Sequence, residues 1–101
     1  MLTLAVASAE TRVLLHEPPP GGYERIVPPA LRAEARIGEE QALATALARI
    51  PNSRVLKLEL EREDDGALIY SFDLKVPGKR GLYEVEVDAI TGGVRRAAYD
   101  P

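Results

Sequence analysis

Tyr83-Glu84-Val85-Glu86-Val87-Asp88-Ala89-Ile90-Thr91-Gly92-Gly93-Val94 states a strand, its facing and its exit turn in a single run. Tyr83, Val85, Val87 and Ala89 alternate with Glu84, Glu86 and Asp88. An extended chain here therefore has one apolar and one acidic face, the pattern of a half-buried strand. Thr91-Gly92-Gly93 supplies residues able to take positive φ, so that Val94 onward can double back beside the strand it left. The cover for the apolar face must come from earlier in the chain.

Working outward, the run from Leu68 to Val76 points Tyr70, Phe72, Leu74 and Val76 one way and Ser71, Asp73 and Lys75 the other. Pro77-Gly78-Lys79-Arg80-Gly81 forms a longer loop between these two runs. Before them, Arg54 to Arg62 sets Leu56, Leu58 and Leu60 against Lys57, Glu59 and Glu61, and Asp64-Asp65-Gly66 is a hairpin turn signal. Three alternating strands in succession, each with its own turn, predict an antiparallel meander. Val94 to Tyr99 offers a fourth strand against the weak β-propensity of Ala97-Ala98.

A helix is predicted upstream. Gly38 stands at the N-cap, Glu39 and Glu40 place carboxylates in the first turn, and Gln41 takes the third helical position of a capping box. Leu43, Ala46, Leu47 and Ile50 then follow helical spacing, while Ala42, Ala44 and Ala48 add propensity and thin sides for close approach to a sheet. Pro51 forbids a further turn and Asn52-Ser53 make the bend, leaving a helix of about three turns, ~18 Å long. Its stripe is the apolar surface that must cover the strands. The predicted fold class is α+β, one N-terminal helix packed across an antiparallel three- to four-stranded sheet.

The chain of 101 residues is one domain's worth, with 46% hydrophobic and 29% charged residues, an ordinary globular composition. The formal charge of −3 is mild and the basic residues are scattered, so no phosphate-tracking surface for nucleic acid is indicated. No apolar run reaches the ~20 residues that span a bilayer. Without cysteine there is no disulfide, thiolate nucleophile or zinc-thiolate site. Met1 to Ala9 is apolar and small, with Ala5-Val6-Ala7 and Ala7-Ser8-Ala9 in the form signal peptidases accept, but it lacks a positive leading region. It is either the tail of an export signal or an edge strand. Residues 10–35, with Val13-Leu14-Leu15, Pro18-Pro19-Pro20-Gly21-Gly22 and Pro28-Pro29, are predicted to form an arm or linker whose few apolar residues lie against the domain; Ala30 to Arg36 is weakly helical. The domain itself is assigned to residues 36–99.

Helix, strand, strand, strand in this order, opened by Ile37-Gly38-Glu39-Glu40-Gln41-Ala42, with Leu68-Ile69-Tyr70-Ser71-Phe72-Asp73-Leu74 in the middle and Val85-Glu86-Val87-Asp88-Ala89-Ile90-Thr91-Gly92-Gly93-Val94 at the close, resembles the PepSY domain. The likeness covers about Arg36 to Tyr99. Gly38 departs from the serine or threonine cap more frequent in that family, a change worth only a few tenths of a kcal/mol. The resemblance implies a bacterial protein that is periplasmic, extracellular or in the cell envelope. It also implies a non-catalytic role like that of peptidase propeptides, with a protein partner and no cofactor. It carries over no set of catalytic, metal or cofactor-binding residues.

The residues agree with an absence of catalytic chemistry. His16 is the sole histidine, beside Glu17 in a proline-bounded arm, without the partners a triad or metal cluster requires. Glu61, Glu63, Asp65 and Gly66 imitate the start of a calcium loop, but the twelfth position is Phe72 where a bidentate carboxylate is needed, and a hairpin turn explains them. Gly78-Lys79 lacks the preceding glycine of a phosphate loop and reads as a loop tip. Glu59, Glu61, Asp73, Glu84, Glu86 and Asp88 share the open sheet face, where they bind cations or a basic partner or form a solvated face paired by Lys57 and Lys75. Asp88 is also suited to bond a backbone amide near Ile90 or Thr91. Two function classes follow. One is a binding module that engages a secreted peptidase through a sheet edge or hairpin tips. The other is a structural or assembly unit that self-associates or supports an envelope complex through the arm from Glu17 to Pro29.

Overall fold

The computed structural model describes residues 22–101, in which a five-stranded sheet carries two helices on one face. In chain order the elements are β1 (Glu24–Ile26), α1 (Pro29–Glu34), α2 (Glu39–Arg49), β2 (Arg54–Arg62), β3 (Leu68–Lys75), β4 (Leu82–Asp88) and β5 (Val94–Asp100). Strand order follows sequence order from β1 to β5, and β2 to β5 form the predicted antiparallel meander, fourth strand included.

The sheet differs from expectation at its leading edge, because β1 pairs with β2 in parallel, with Glu24 opposite Lys57 and Ile26 opposite Glu59. The sheet is therefore mixed and five-stranded, where three or four antiparallel strands were expected. Glu24-Arg25-Ile26 is too short for periodicity to reveal, and its neighbouring prolines and glycines obscure it further. What makes it a strand is the free edge of β2, a long-range partner. The same segment supplies α1, which begins with Pro29 in its first turn, where a missing N–H costs no hydrogen bond. Tyr23, Val27, Leu31 and Ala35 pack on the core, as expected for apolar residues of the arm.

α2 covers the sheet with its smallest side chains. Ala42 and Ala46 are fully buried, while Leu43, Leu47 and Ile50 flank them half-buried. The alanines let the helix axis come close to the strands, and the longer side chains then splay over Leu58, Leu60, Tyr70, Phe72, Leu74, Val85 and Val87 beneath. Gly38 caps α2 with its backbone alone: its carbonyl accepts the Ala42 N–H at 3.1 Å and no side-chain bond closes the cap. The predicted capping box is therefore not formed. The helix stops as read, with Ile50 as its last cap and Ser53 Oγ donating to the Ile50 carbonyl at 2.6 Å.

Register decides two further positions. A bulge between Val55 and Lys57 leaves Leu56 without an opposite residue, so Val55, opposite Leu74, enters the core in place of Leu56. Strict alternation across Leu56, Leu58 and Leu60 misses this one-residue slip. On β3, Ile69 is fully buried on the outer face, between Glu61 of β2 and Asp88 of β4 in the ladder. A central strand has neighbours on both sides whose long side chains can cover even its outward positions.

The exit turn after β4 is built as its residues suggest. The Asp88 carboxylate accepts the Ile90 and Thr91 N–H groups at 2.8 and 2.9 Å, and Gly92 takes φ 82°. The Ala89 carbonyl accepts the Arg36 and Ile37 N–H groups, both at 2.9 Å, and Tyr70 Oη donates to the Ile37 carbonyl at 2.7 Å. The lead-in to α2 is thereby tied to the β4–β5 turn.

Candidate functional site

Three features of the described residues present chemistry at the surface: the outer sheet face, the β3–β4 hairpin tip and the junction of β1 with the start of α2. Glu59, Glu61, Asp73, Glu84, Glu86 and Asp88 do share the outer face, joined there by Glu24. Lys57, Glu59, Glu61, Ser71, Asp73 and Glu84 line a shallow depression of about 190 Å³ in it. Burial, followed by neighbouring carboxylates, holds the Glu61, Asp73 and Glu86 carboxyls above their usual range. The face is internally paired in part: Arg96 donates to Glu84 at 2.6 Å, Ser71 Oγ to Glu84 at 3.2 Å, and Lys57 lies 4.0 Å from Glu59. Lys75 is not the carboxylate partner expected of it. Its ammonium donates to the Lys79 and Gly81 carbonyls at 2.5 and 3.1 Å, because the loop after β3 folds back over it. Among the described residues no group of three or more His, Asp or Glu side chains is arranged to hold a metal ion.

Asp65 and Gly66 serve the β2–β3 hairpin, the carboxylate accepting the Ala67 N–H at 3.0 Å and Gly66 taking φ 90°. Gly78 and Lys79 form a loop tip. There the Lys79 ammonium sits 4.9 and 4.4 Å from the ring centres of Tyr83 and Tyr99 and donates to Tyr83 Oη at 2.5 Å. Tyr99 Oη donates to the Arg80 carbonyl, so the tip is fastened to the ends of β4 and β5. His16 and the stretch from Met1 to Ala9 lie outside the described residues.

The third feature was not legible in the sequence. Glu39, in the first turn of α2, accepts bonds from Arg25 Nε at 2.7 Å, Arg25 Nη2 at 2.5 Å and Tyr23 Oη at 2.7 Å. The side chain of Glu39 is only 18% exposed, while that of Arg25 is 52% exposed. The Arg25 hydrogen bond, against a smaller opposing effect of burial, holds the Glu39 carboxyl below its usual range, so it is ionised at neutral pH. Burial and the bond to Glu39 push the Tyr23 hydroxyl up to about 12, so it stays a donor. Beside this cluster a cleft of about 650 Å³ is lined by Tyr23, Arg25, Arg32, Glu39 and Leu43, among others. Only the i, i+2 spacing of Tyr23 and Arg25 hints at it, and that spacing means nothing until the segment is known to be extended.

The family model described as "Peptidase propeptide and YPEB domain", PepSY, matches residues 36–97. The chain belongs to the PepSY family. The match takes in α2, the meander and the Asp88 turn, so the predicted resemblance holds over nearly the stretch assigned to it. The PepSY unit is a peptidase-propeptide type of domain, generally non-catalytic and generally found in extracellular or envelope proteins. Neither curated proteins nor solved structures yielded a match to this chain. No helix among the described residues is long and apolar enough to cross a membrane. β1, α1 and the Tyr23–Arg25–Glu39 cluster's two donors lie ahead of the PepSY match.

Proposed function

We propose that this PepSY protein is a non-catalytic binding module of the bacterial envelope or exterior, which restrains a secreted peptidase by pairing a sheet edge with an extended segment of it. The observation that carries this is the open sheet. β5 ends it on one side, and on the other β1 pairs with only Lys57 to Glu59 of the nine-residue β2. An edge with unpaired N–H and C=O groups binds an added strand through the main chain and needs no special side chain. Purified protein is expected to bind and inhibit at least one co-encoded or co-secreted peptidase at micromolar concentration. Failure across that set, with folded protein, rejects the proposal. The second reading, an assembly unit reaching out through Glu17 to Pro29, would require release of the part of that arm that lies on β2.

A further inference from the structure

β1 differs from the other strands in every respect that bears on permanence. It is three residues long, all exposed, and runs parallel to β2 in a sheet whose other pairings are antiparallel. The side-chain hydrogen bonds of this segment all fall on one carboxylate, Glu39, which takes both Arg25 bonds and the Tyr23 bond, while Tyr23 and Val27 on either side of β1 also pack half-buried on the core. In an extended chain, residues i and i+2 share a face, so an aromatic hydroxyl and a guanidinium at this spacing reach the same acceptor. The bidentate fork of arginine suits a carboxylate in a way lysine cannot reproduce. The cleft beside Glu39 leaves room for the side chains to leave and re-enter. Beyond Ile26, Pro28 is extended at φ −60°, ψ 131° and begins a separate helix whose Leu31 packs on the core. Detachment of residues 22–27 about Pro28 gives up the half-buried Tyr23 and Val27 contacts and leaves α1 held by its own Leu31.

We propose that the outward edge of β2 together with Glu39 is a strand-accepting site selective for an extended peptide carrying an aromatic residue and an arginine two positions on, filled in this chain by Tyr23 to Val27 and taken by a partner segment of the same chemistry that displaces them. The proposal rests on the sheet-edge function above and names the edge, the selecting residue and the ligand. Ladder bonds to β2 supply affinity, and the ionised Glu39 supplies selection. The segment in place competes intramolecularly, so a peptide in solution meets only the fraction of molecules with a vacant edge, and its apparent affinity falls by that fraction.

The test uses the full chain and a fluorescent peptide, Gly-Gly-Tyr-Glu-Arg-Ile-Val-Pro, the sequence of residues 21–28. Arg25→Ala removes two of the three bonds to Glu39 and leaves the site intact. Its affinity for the peptide, read by fluorescence anisotropy, is expected to rise roughly tenfold or more over the parent chain as the vacant fraction grows. Hydrogen exchange at Lys57 to Glu59 is expected to quicken in this variant and to slow again on adding peptide, with β3 protected throughout as the check on folding. Adding Glu39→Gln, or replacing the peptide's arginine by alanine, is expected to abolish uptake. An Arg25→Ala chain with protected β3 that takes up no peptide and exchanges at Lys57 to Glu59 like the parent overturns the proposal; β1 is then a fixed strand. Equal binding of the arginine-free peptide overturns selection by Glu39. Peptidase inhibition untouched by Glu39→Gln removes this site and leaves the proposed function standing. Peptide uptake without binding of any co-secreted peptidase does the reverse.

Discussion

Val85→Asp places a carboxylate where β4 meets Phe72 of β3 on one side and Ala97 of β5 on the other, at a position with no solvent exposure. Losing the buried valine costs about 1.5–3 kcal/mol. Holding the new carboxyl neutral at pH 7, against a reference near 3.9, costs about 4 kcal/mol more at about 1.36 kcal/mol per unit. The sum, about 6–7 kcal/mol, stands against the roughly 4–12 kcal/mol expected of a fold of the ~80 described residues. Far-UV circular dichroism melts at pH 7 are expected to lose their cooperative transition or to show it at much lower temperature. At pH 4 the ionisation cost nearly vanishes, so the variant is expected to recover part of the difference from the parent. Glu86→Asp, one residue along on the outer face, is expected to shift stability by less than about 0.5 kcal/mol. An unchanged melt for Val85→Asp at pH 7 would refute the claim that this face of β4 lies under α2.

Asp88→Ala removes the acceptor for two turn amides and is expected to cost about 1–2 kcal/mol in urea unfolding, with Asp88→Asn, which keeps an acceptor oxygen, recovering most of it. Gly92→Ala is expected to cost about 1 kcal/mol or more, because the site has φ 82° and a Cβ would lie 3.3 Å from Ile37 Cδ1; an unchanged urea midpoint would contradict it. The pH dependence follows from opposed sets of carboxyls. Glu61, Asp73 and Glu86 are raised in the fold, so the native state holds protons the unfolded chain has lost, and stability falls as pH rises from the ordinary carboxyl range of 3.8–4.5 through their folded values. Glu39, Asp65 and Asp88 are lowered, and their contribution, complete above that range, is lost as pH falls through their folded values. The melting temperature is therefore expected to peak close to the ordinary carboxyl range of 3.8–4.5 and to decline toward neutrality, and Glu86→Gln to raise it at pH 7 but not near that range; a profile still rising from pH 5 to 8 would contradict this assignment.

Much of the PepSY unit is written in residues close together in sequence. Alternation in Tyr83 to Ala89, the Asp88 carboxylate three residues ahead of Thr91, Gly66 and Gly92 at their turns, and Pro51 ending α2 are local devices, each acting over a few residues. Side chains and backbone torsions express them in any context that keeps the chain extended or helical. Leu56 and Val55 lie at the limit of such reading, since a bulge is a property of two strands and β2 alone carries no sign of it. Ile69 is a similar case, buried by its neighbours on β2 and β4.

Local pattern suffices to mark the stretches that become α2 and β2 to β5, their facing apart from Val55 and Leu56, and the likeness to the PepSY family, because hydrophobic period and turn chemistry are set within a few residues. That Glu24 to Ile26 is a strand, that Ala42 and Ala46 form the contact line of the helix, and that Glu39 gathers Tyr23 and Arg25 follow from the folded arrangement alone. Those outcomes depend on a free β2 edge and on groups 14 and 16 positions apart meeting in space. Such meetings are fixed by packing of the whole chain, which no local pattern encodes.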